Sequence, residues 1–409
     1  MVMTAARPKV AEAGAQDPKS TPSEAWIARL QARFPTERTV DEALTRKLRN
    51  RADPPYRPST LAEVAGQLRA FFAVHAPGAE VHAVAPLGGG ASKEQYRFTL
   101  HEQGSAPTDY VLRREPPESV VETHRLREFE VMNAVRGTIP VPPARWVDAD
   151  GAWFGRPSLI NGFVSGVTKP AGSEGNVSGL GTGFSPEWQA RLAPQFVDML
   201  AAIHRFDWRD AALDAFDVPP EGSAEGVLRT INWWDRVWEE DSIEAIPIIR
   251  FAAQWLRANA PTIERVTLVH HDFRPGNFLF EPDSGTITAV LDWELAHLGD
   301  YHEDLAWSLQ EGYGYTDAQG RFMVCGLIER EAFFRRYEQA SGFPVDRARI
   351  DYYMIMNTWK SAIIVLATGI RCAAGGKSHQ DILLSWLAGF GHVCLHNLAR
   401  LLRETLHGT

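Results

Sequence analysis

The apolar positions switch between a helical and a strand period, and the switches divide the chain. Trp26, Leu30 and Phe34 fall at every fourth residue, and Val40, Leu44 and Leu48 repeat that spacing. This predicts two short amphipathic helices separated near Pro35. Such an arm either packs on its own chain or buries its apolar face against a second copy, so a homodimer contact is a candidate. Residues 1–23, rich in Ala, Pro and small polar residues, read as a mobile tail. Residues 61–74 predict a helix, and residues 80–84, 94–100 and 110–113 predict strands, with Tyr96 and Phe98 on one face. Val121 to Arg136 predicts a helix with Phe129, Met132 and Val135 on one face, and a strand pair is expected between residues 144 and 164. Together these make a small, mainly antiparallel sheet with a helix packed on it.

The Gly/Ser-rich stretch 167–185 predicts a loop. Pro186 is suited to open a helix that runs to His204, with Leu192, Phe196, Met199, Leu200 and Ile203 as its buried face. From there the pattern is mostly helical, interrupted by a strand-loop-strand region over 266–292, and it ends in apolar helices over 351–369 and 382–406. No internal repeat is visible. The expected organisation is a tail and arm (1–58), a sheet-bearing lobe (59–163) and a mainly helical lobe (164–409), an α+β architecture.

Composition narrows the class. A chain of 409 residues, 44% hydrophobic and 23% charged, can bury a sizeable core without staples, and it suggests two or three structural units. The three cysteines, Cys325, Cys372 and Cys394, show no CxxC spacing, so neither a disulfide framework nor a structural zinc is expected from them. A net charge of −9 argues against a nucleic-acid partner. No apolar run reaches membrane-spanning length, and the first residues lack an apolar core of the signal-peptide kind. These features predict a cytoplasmic protein with no membrane partner.

The chemistry lies in Leu268-Val269-His270-His271-Asp272-Phe273-Arg274-Pro275-Gly276-Asn277-Phe278-Leu279-Phe280. One apolar strand delivers a polar cluster and a second leaves it. Fifteen residues past Asn277, another apolar strand ends in Asp292, within Val290-Leu291-Asp292-Trp293-Glu294. Two strand ends bearing carboxylates, with an amide between them, can converge on one hard cation such as magnesium. The spacing His270, Asp272, Asn277 and then Asp292 matches the kinase catalytic loop and its metal-binding aspartate.

These segments, with AVLDWELAHLGDYHEDLAW and AAIHRFDW, resemble the aminoglycoside phosphotransferase and choline kinase-like family over residues 80–400. The closest likeness is to the branch related to the kinase domain associated with acyl-CoA dehydrogenases. The resemblance implies a two-lobed protein-kinase-like fold and ATP as phosphoryl donor, with GTP as the alternative, together with Mg2+. It implies that Asp272 is the catalytic base, that Asn277 and Asp292 hold magnesium, and that His270 braces the loop. It implies for Asp304 a supporting contact to the loop backbone. Many relatives have glycine where His271 stands. A histidine there is expected to face solvent or the substrate cleft rather than a metal, since magnesium disfavours imidazole.

In the sheet lobe, Gly88, Gly89 and Gly90, followed by Ser92, sit between two strands and suit a phosphate-covering loop. This is not a Walker A, because the Gly-Lys-Ser/Thr ending before a helix is absent. Arg113 takes the strand position where kinases place lysine, with Glu128 as its expected helix partner. Arginine can make the same pairings in bidentate form. Arg274 on the loop is a candidate for stabilising charge or binding an anionic substrate group. His204 reads as a packed histidine. Trp233, Trp234 and Trp238 read as core or as a pocket wall, and Glu239, Glu240, Asp241 and Glu244 as a candidate acidic cleft.

The leading function is ATP-dependent phosphorylation of a hydroxyl on a small molecule, with a hydroxyacyl or hydroxy-acid intermediate as the favoured acceptor. The alternatives are an aminoglycoside or macrolide kinase, a nucleotide-binding pseudokinase or scaffold suggested by Arg113, and a metal hydrolase built on His270, His271, Asp272 and Asp292.

Overall fold

The computed structural model describes residues 17–88, 92–171, 180–181 and 183–407. The N-terminal arm forms α1 (Glu24–Arg33) and α2 (Arg38–Arg49), and the Ser23 hydroxyl caps the first at Trp26 N. Most of its apolar side chains are covered by the chain itself, with Trp26 half-buried at the edge. Ile27, Leu30, Phe34 and Leu48 form one small cluster, while Val40 and Leu44 join the main core. Those side chains are therefore not open to a second copy. Lys47 and Arg51 carry the arm's last turn into the helical lobe, where both pair with Asp241, at 2.9 and 2.6 Å. The predicted tail falls mostly outside the described residues.

Helix α3 (Leu61–His75) opens on a capping box. Thr60 and Glu63 satisfy each other's backbone N–H, which fixes where the helix begins. Five strands follow: β1 (Glu80–Pro86), β2 (Glu94–His101), β3 (Thr108–Arg114), β4 (Ala144–Asp148) and β5 (Ser158–Gly162). Helix α4 (Arg125–Val135) lies between β3 and β4. They form one antiparallel sheet in the order β1-β2-β3-β5-β4. Phe71 and Phe72 of α3 pack on Tyr96, Phe98, Leu112 and Ile160 on one face. On the other side, Val131, Met132 and Val135 of α4 cluster with Ala144 and Leu159. Helix α4 starts four residues later than the apolar pattern predicts. Residues 121–124 stay extended because Lys93 takes the Val121 carbonyl and His124 enters the helix in a β conformation.

The helical lobe begins with α5 (Pro186–Arg205), α6 (Glu225–Asp241) and α7 (Pro247–Ala258). Of the predicted 167–185 loop, residues 172–179 and 182 lie outside the described residues, and Val167 pairs with Phe280. Next come β6 (Thr267–Val269), β7 (Phe278–Phe280), β8 (Ile287–Val290) and β9 (His297–Gly299), paired β6 with β9 and β7 with β8. Helix α8 (His302–Ser308) follows directly. A small sheet of β10 (Tyr315–Thr316), β11 (Phe322–Val324) and β12 (Ile328–Glu329) precedes α9 (Arg330–Ser341). Neither β9 nor this small sheet was legible, because two- and three-residue strands carry no period.

Both apolar C-terminal helices are broken. Helix α10 (Arg347–Ile363) widens into a π-turn over Ile364–Gly369 and resumes as α11 (Ile370–Ala374). The second divides into α12 (Asp381–Ala388) and α13 (Gly391–His407). A side chain at Gly391 would strike Leu366 of the π-turn at 2.1 Å, so glycine permits that contact. Among the described residues no single helix is long and apolar enough to cross a membrane.

Candidate active site

The catalytic loop leaves β6 and re-enters the fold at β7, so the β6–β9 and β7–β8 ladders hold its two ends. Helix α8 braces the middle, using four side chains on four consecutive loop residues. Asp304, wholly buried, accepts the backbone N–H of His270 at 2.7 Å and of His271 at 2.6 Å. Glu303 Oε1 stands 2.7 Å from His271 Nε2. Trp307 Nε1 donates to Asp272 Oδ1 at 2.8 Å, and Ser308 Oγ donates to the Phe273 carbonyl at 3.0 Å. Asp304 is itself oriented by His204 Nε2 at 3.1 Å, and His204 Nδ1 meets Tyr337 Oη at 2.8 Å. His204 is thus a packed positioning group.

His270 faces inward. Its Nε2 donates to the Leu291 carbonyl at 2.9 Å, and its Nδ1 accepts the Asp272 N–H at 3.2 Å. This ring joins the loop to the residue before Asp292. Burial lowers its pKa, which keeps the neutral tautomer that this bonding needs.

Asp272 receives three donors. Arg274 Nε (2.9 Å) and Trp307 share Oδ1, while Asn277 Nδ2 reaches Oδ2 at 2.5 Å and also the Asp272 carbonyl at 2.9 Å. The carboxylate is partly open, with 18% of its side chain exposed. The Arg274 guanidinium lies over the Tyr313 ring at 5.1 Å.

Asp292 adopts a left-handed backbone, φ 58°. Its Oδ1 accepts Arg113 Nη2 at 2.6 Å, and Arg113 Nη1 pairs with Glu128. One guanidinium therefore spans from the α4 carboxylate to Asp292. Burial pushes the Asp292 carboxyl up, to about 6; Arg113 opposes this and Glu294, Glu128 and Asp272 add to it. The Asn277 amide nitrogen is engaged, which leaves its Oδ1 as an oxygen donor, and the Leu291 N–H bonds the Asn277 carbonyl at 2.8 Å, which sets Asn277 next to the residue before Asp292. The Asn277–Asp292 pair fits a hard cation.

Gly89 and Gly90 lie outside the described residues. Gly88 faces open space, and the Ser92 carbonyl accepts Ser119 Oγ at 2.8 Å. The end of the glycine loop is anchored by a residue sequence reasoning passed over. Lys93 is buried and donates to Ser119 Oγ at 2.8 Å, with Glu294 at 3.5 Å. Arg125, fully buried, ties Glu128, Glu115 and Glu294 together. Burial works to raise the Glu294 pKa, but Lys93, Arg125 and Arg113 hold it down at about 2.

Two expectations are corrected. His271 does not face solvent or the cleft. It is wholly buried, because a left-handed backbone (φ 67°) turns its ring inward toward Glu303 and His297. Burial pushes its pKa down to about 4. The hydrolase arrangement is therefore not assembled, since neither histidine ring joins Asp292 among the described contacts. Helix α6 offers no acidic cleft from its last turn. Glu240 and Asp241 are buried in pairs with Lys47, Arg51 and Arg236, and Glu239 pairs with Arg250. Trp233, Trp234 and Trp238 are core, the first two stacked 5.1 Å apart.

Sequence reasoning also missed Glu303, Trp307 and Lys360. Lys360 of α10 is fully buried. Its Nζ donates to the His271 carbonyl at 3.3 Å and stands 3.6 Å from the Trp307 ring centroid. Burial pushes its pKa down to about 7, against the pull of Glu303, Asp272 and Asp304. Glu303 and Trp307 flank Asp304 in HEDLAW, and that adjacency was the available signal. Nothing local marked Lys360 or Arg125.

Comparison with known proteins places these features in a lineage. A family model described as "Phosphotransferase enzyme family" matches residues 83–353. Acyl-CoA dehydrogenase family member 10 of Mus musculus is 27% identical over 286 residues, covering 67% of this chain and 25% of its own length. The probable acyl-CoA dehydrogenase IBR3 of Arabidopsis thaliana is 26% identical over 322 residues, 72% of this chain and 37% of that protein. The chain thus spans well under half of these curated relatives. Among solved structures, a Ralstonia eutropha protein described as a candidate aminoglycoside phosphotransferase superposes with a TM-score of 0.60 at 23% identity, over 83% of this chain and 98% of that one. Choline kinase LicA of Streptococcus pneumoniae gives 0.54 at 16% identity, over 82% and 99%. These likenesses show a shared two-lobed, kinase-like fold.

Proposed function

The chain belongs to the phosphotransferase enzyme family, and on that premise we propose that it transfers the γ-phosphoryl group of ATP to a hydroxyl of a small molecule. The observation that carries the proposal is that Asn277, which holds Asp272, is bonded through its carbonyl to the Leu291 N–H at 2.8 Å, one residue before Asp292 with its partners Arg113 and Glu128. Asp272 orients the acceptor hydroxyl and takes its proton as the phosphoryl group moves. Trp307, Arg274 and Asn277 restrict that carboxylate to one orientation, and a fixed base is worth more than a mobile one. Asn277 Oδ1 and the Asp292 carboxylate are the residues that would hold magnesium. When bound, that ion screens the nucleotide phosphates. Arg113 does the work of the usual lysine, since its fork reaches Glu128 and Asp292 together. Lys93 and Ser119 secure the base of the glycine loop that would cover the phosphates.

The acceptor is a hydroxylated acyl or carboxylic compound in this reading, including its CoA thioester. Three features support it. Arg274 presents a cation beside the base, suited to an anionic acceptor group. The pairing of Glu239, Glu240 and Asp241 leaves little acidic surface on α6 for a polycation such as an aminoglycoside. The π-turn after α10 touches the sheet lobe, Thr368 Oγ1 donating to the Val120 carbonyl at 3.0 Å, and beyond it α12, α13 and the turn between them expose Ile382, Trp386, Phe390 and Val393. Phosphorylating such a hydroxyl turns it into a better leaving group for a later elimination.

The test is nucleotide consumption with magnesium against hydroxy acids, hydroxyacyl-CoAs, aminoglycosides, macrolides and choline-like alcohols, run beside Asp272→Asn. The expected result is acceptor-dependent turnover with hydroxylated acyl compounds that the variant loses. A preference for free sugars or amino alcohols would overturn the acceptor class. Nucleotide binding with no turnover on any acceptor would favour a non-catalytic module.

A further inference from the structure

Three polar side chains converge in a buried cluster beneath the catalytic loop, and their chemistry differs from that of the phosphotransfer site. His271 is wholly buried on the loop, while His297 of β9 and Glu303 of α8 are 4% and 3% exposed. Their donor atoms lie within 4.8 Å of one another. His271 Nε2 stands 2.7 Å from Glu303 Oε1, and His297 Nε2 stands 3.1 Å from Glu303 Oε2. The two imidazole rings are 4.8 Å apart at 65°. A side chain at Gly299 would meet His297 Nε2 at 2.8 Å, so glycine there lets the ring approach.

Shared protons alone leave this cluster incomplete. Despite the 2.7 Å separation, neither ring nitrogen of His271 nor Glu303 Oε1 makes an aligned hydrogen bond among the described residues. Buried polar atoms are normally satisfied, so the exception asks for a partner. Lys360, the nearby cation, directs its Nζ at the His271 carbonyl and the Trp307 ring instead. His271 also holds a left-handed backbone that glycine would take without strain.

We propose that His271, His297 and Glu303 form a site for a divalent transition ion of the zinc class, which ties the catalytic loop to β9 and α8. Two imidazoles and a carboxylate suit zinc at tetrahedral geometry, with a water as the fourth ligand. Magnesium seeks an all-oxygen shell and belongs to the Asn277–Asp292 pair instead. The ion takes the place of the protons otherwise held between the two rings and Glu303, so its binding releases protons. Its role is positional, since the cluster reaches no reacting atom.

The full chain is loaded with zinc, dialysed, and its metal content measured by elemental mass spectrometry. The expected result is about one tightly held zinc per chain in the wild type. His271→Gly, which suits the backbone, and Glu303→Gln are expected to lose it. Asp292→Asn, which removes the acidic ligand of the magnesium pair, is expected to keep it. Cobalt loading gives an independent readout: visible absorption of a tetrahedral ion in the wild type and Asp292→Asn, absent in His271→Gly. A cooperative thermal melt followed by circular dichroism checks that each variant is folded, and His297→Gln replaces His271→Gly if the latter is not. A wild type that retains no more zinc than a folded His271→Gly overturns the site and leaves a hydrogen-bonded cluster. Loss of the zinc in Asp292→Asn overturns it too, by assigning the ion to the magnesium pair.

Discussion

Replacing Lys360 with methionine tests the electrostatics beneath the catalytic loop without knowledge of the acceptor. Lys360 is 1% exposed and its pKa falls from 10.5 to about 7 through burial. A shift of that size corresponds to at most about 5 kcal/mol of destabilisation when the amine is charged. The sign follows from proton counts. Below pH 7 both folded and unfolded chains carry the proton, and the whole penalty is present. Between pH 7 and 10.5 the unfolded chain binds more protons than the native one, so wild-type stability rises with pH by up to about 1.4 kcal/mol per unit. Above 10.5 the penalty is gone. The ammonium's place over the Trp307 ring and its bond to the His271 carbonyl favour the charged form, and both are already contained in that net shift. Lys360→Met should therefore stabilise the protein at pH 6 by at most about 5 kcal/mol, and the advantage should shrink as pH rises toward 9. Urea unfolding followed by tryptophan fluorescence at pH 6, 7.5 and 9 measures this. A stability difference that stays constant across the three pH values would refute a buried lysine that sheds its proton near neutrality.

Three further outcomes follow from the same contacts. Trp307→Phe keeps the ring but removes the donor to Asp272 Oδ1, so kcat should fall about 10- to 100-fold with KM for nucleotide nearly unchanged, given about 1.5–3 kcal/mol for a hydrogen bond to a charged group; steady-state kinetics on the accepted hydroxyl compound decides it. Arg113→Lys should retain the Glu128 pairing and lose the reach to Asp292, raising the KM for magnesium nucleotide about 10-fold, whereas Arg113→Ala strands Glu128 and should lower the melting temperature as well. Because the Asp292 carboxyl titrates near 6, it is mostly ionised at pH 7 and mostly protonated at pH 5; magnesium-nucleotide affinity measured by titration calorimetry should drop as pH falls through 6, and Asp292→Asn should remove that inflection.

The sheet lobe was largely legible because its strands run five or more residues, with β2 alternating along its length, and because α3 opens on a capping box. Thr60 with Glu63, and Pro186 after Ser185, mark helix starts that the chain adopts. The short strands β9 to β12 were not legible, since pairing partners rather than period create them. The breaks in the C-terminal helices arise from packing of the π-turn on Gly391, a contact between residues 25 positions apart.

By itself the sequence determined the type and spacing of the candidate site groups: a carboxylate, an amide and a second carboxylate at the ends of apolar strands. That information is local, because a strand of a given length delivers its last side chain to a definite end. Tertiary structure alone decided where His271 points, since a left-handed backbone and the arrival of Glu303 and His297 turn its ring into the core. It decided that Arg113 spans Glu128 and Asp292, groups 15 and 179 residues away. It also decided that the acids of α6 serve Lys47, Arg51 and Arg236 rather than a ligand. A buried charge is tolerated only beside its partner, and which partner arrives depends on how distant segments pack.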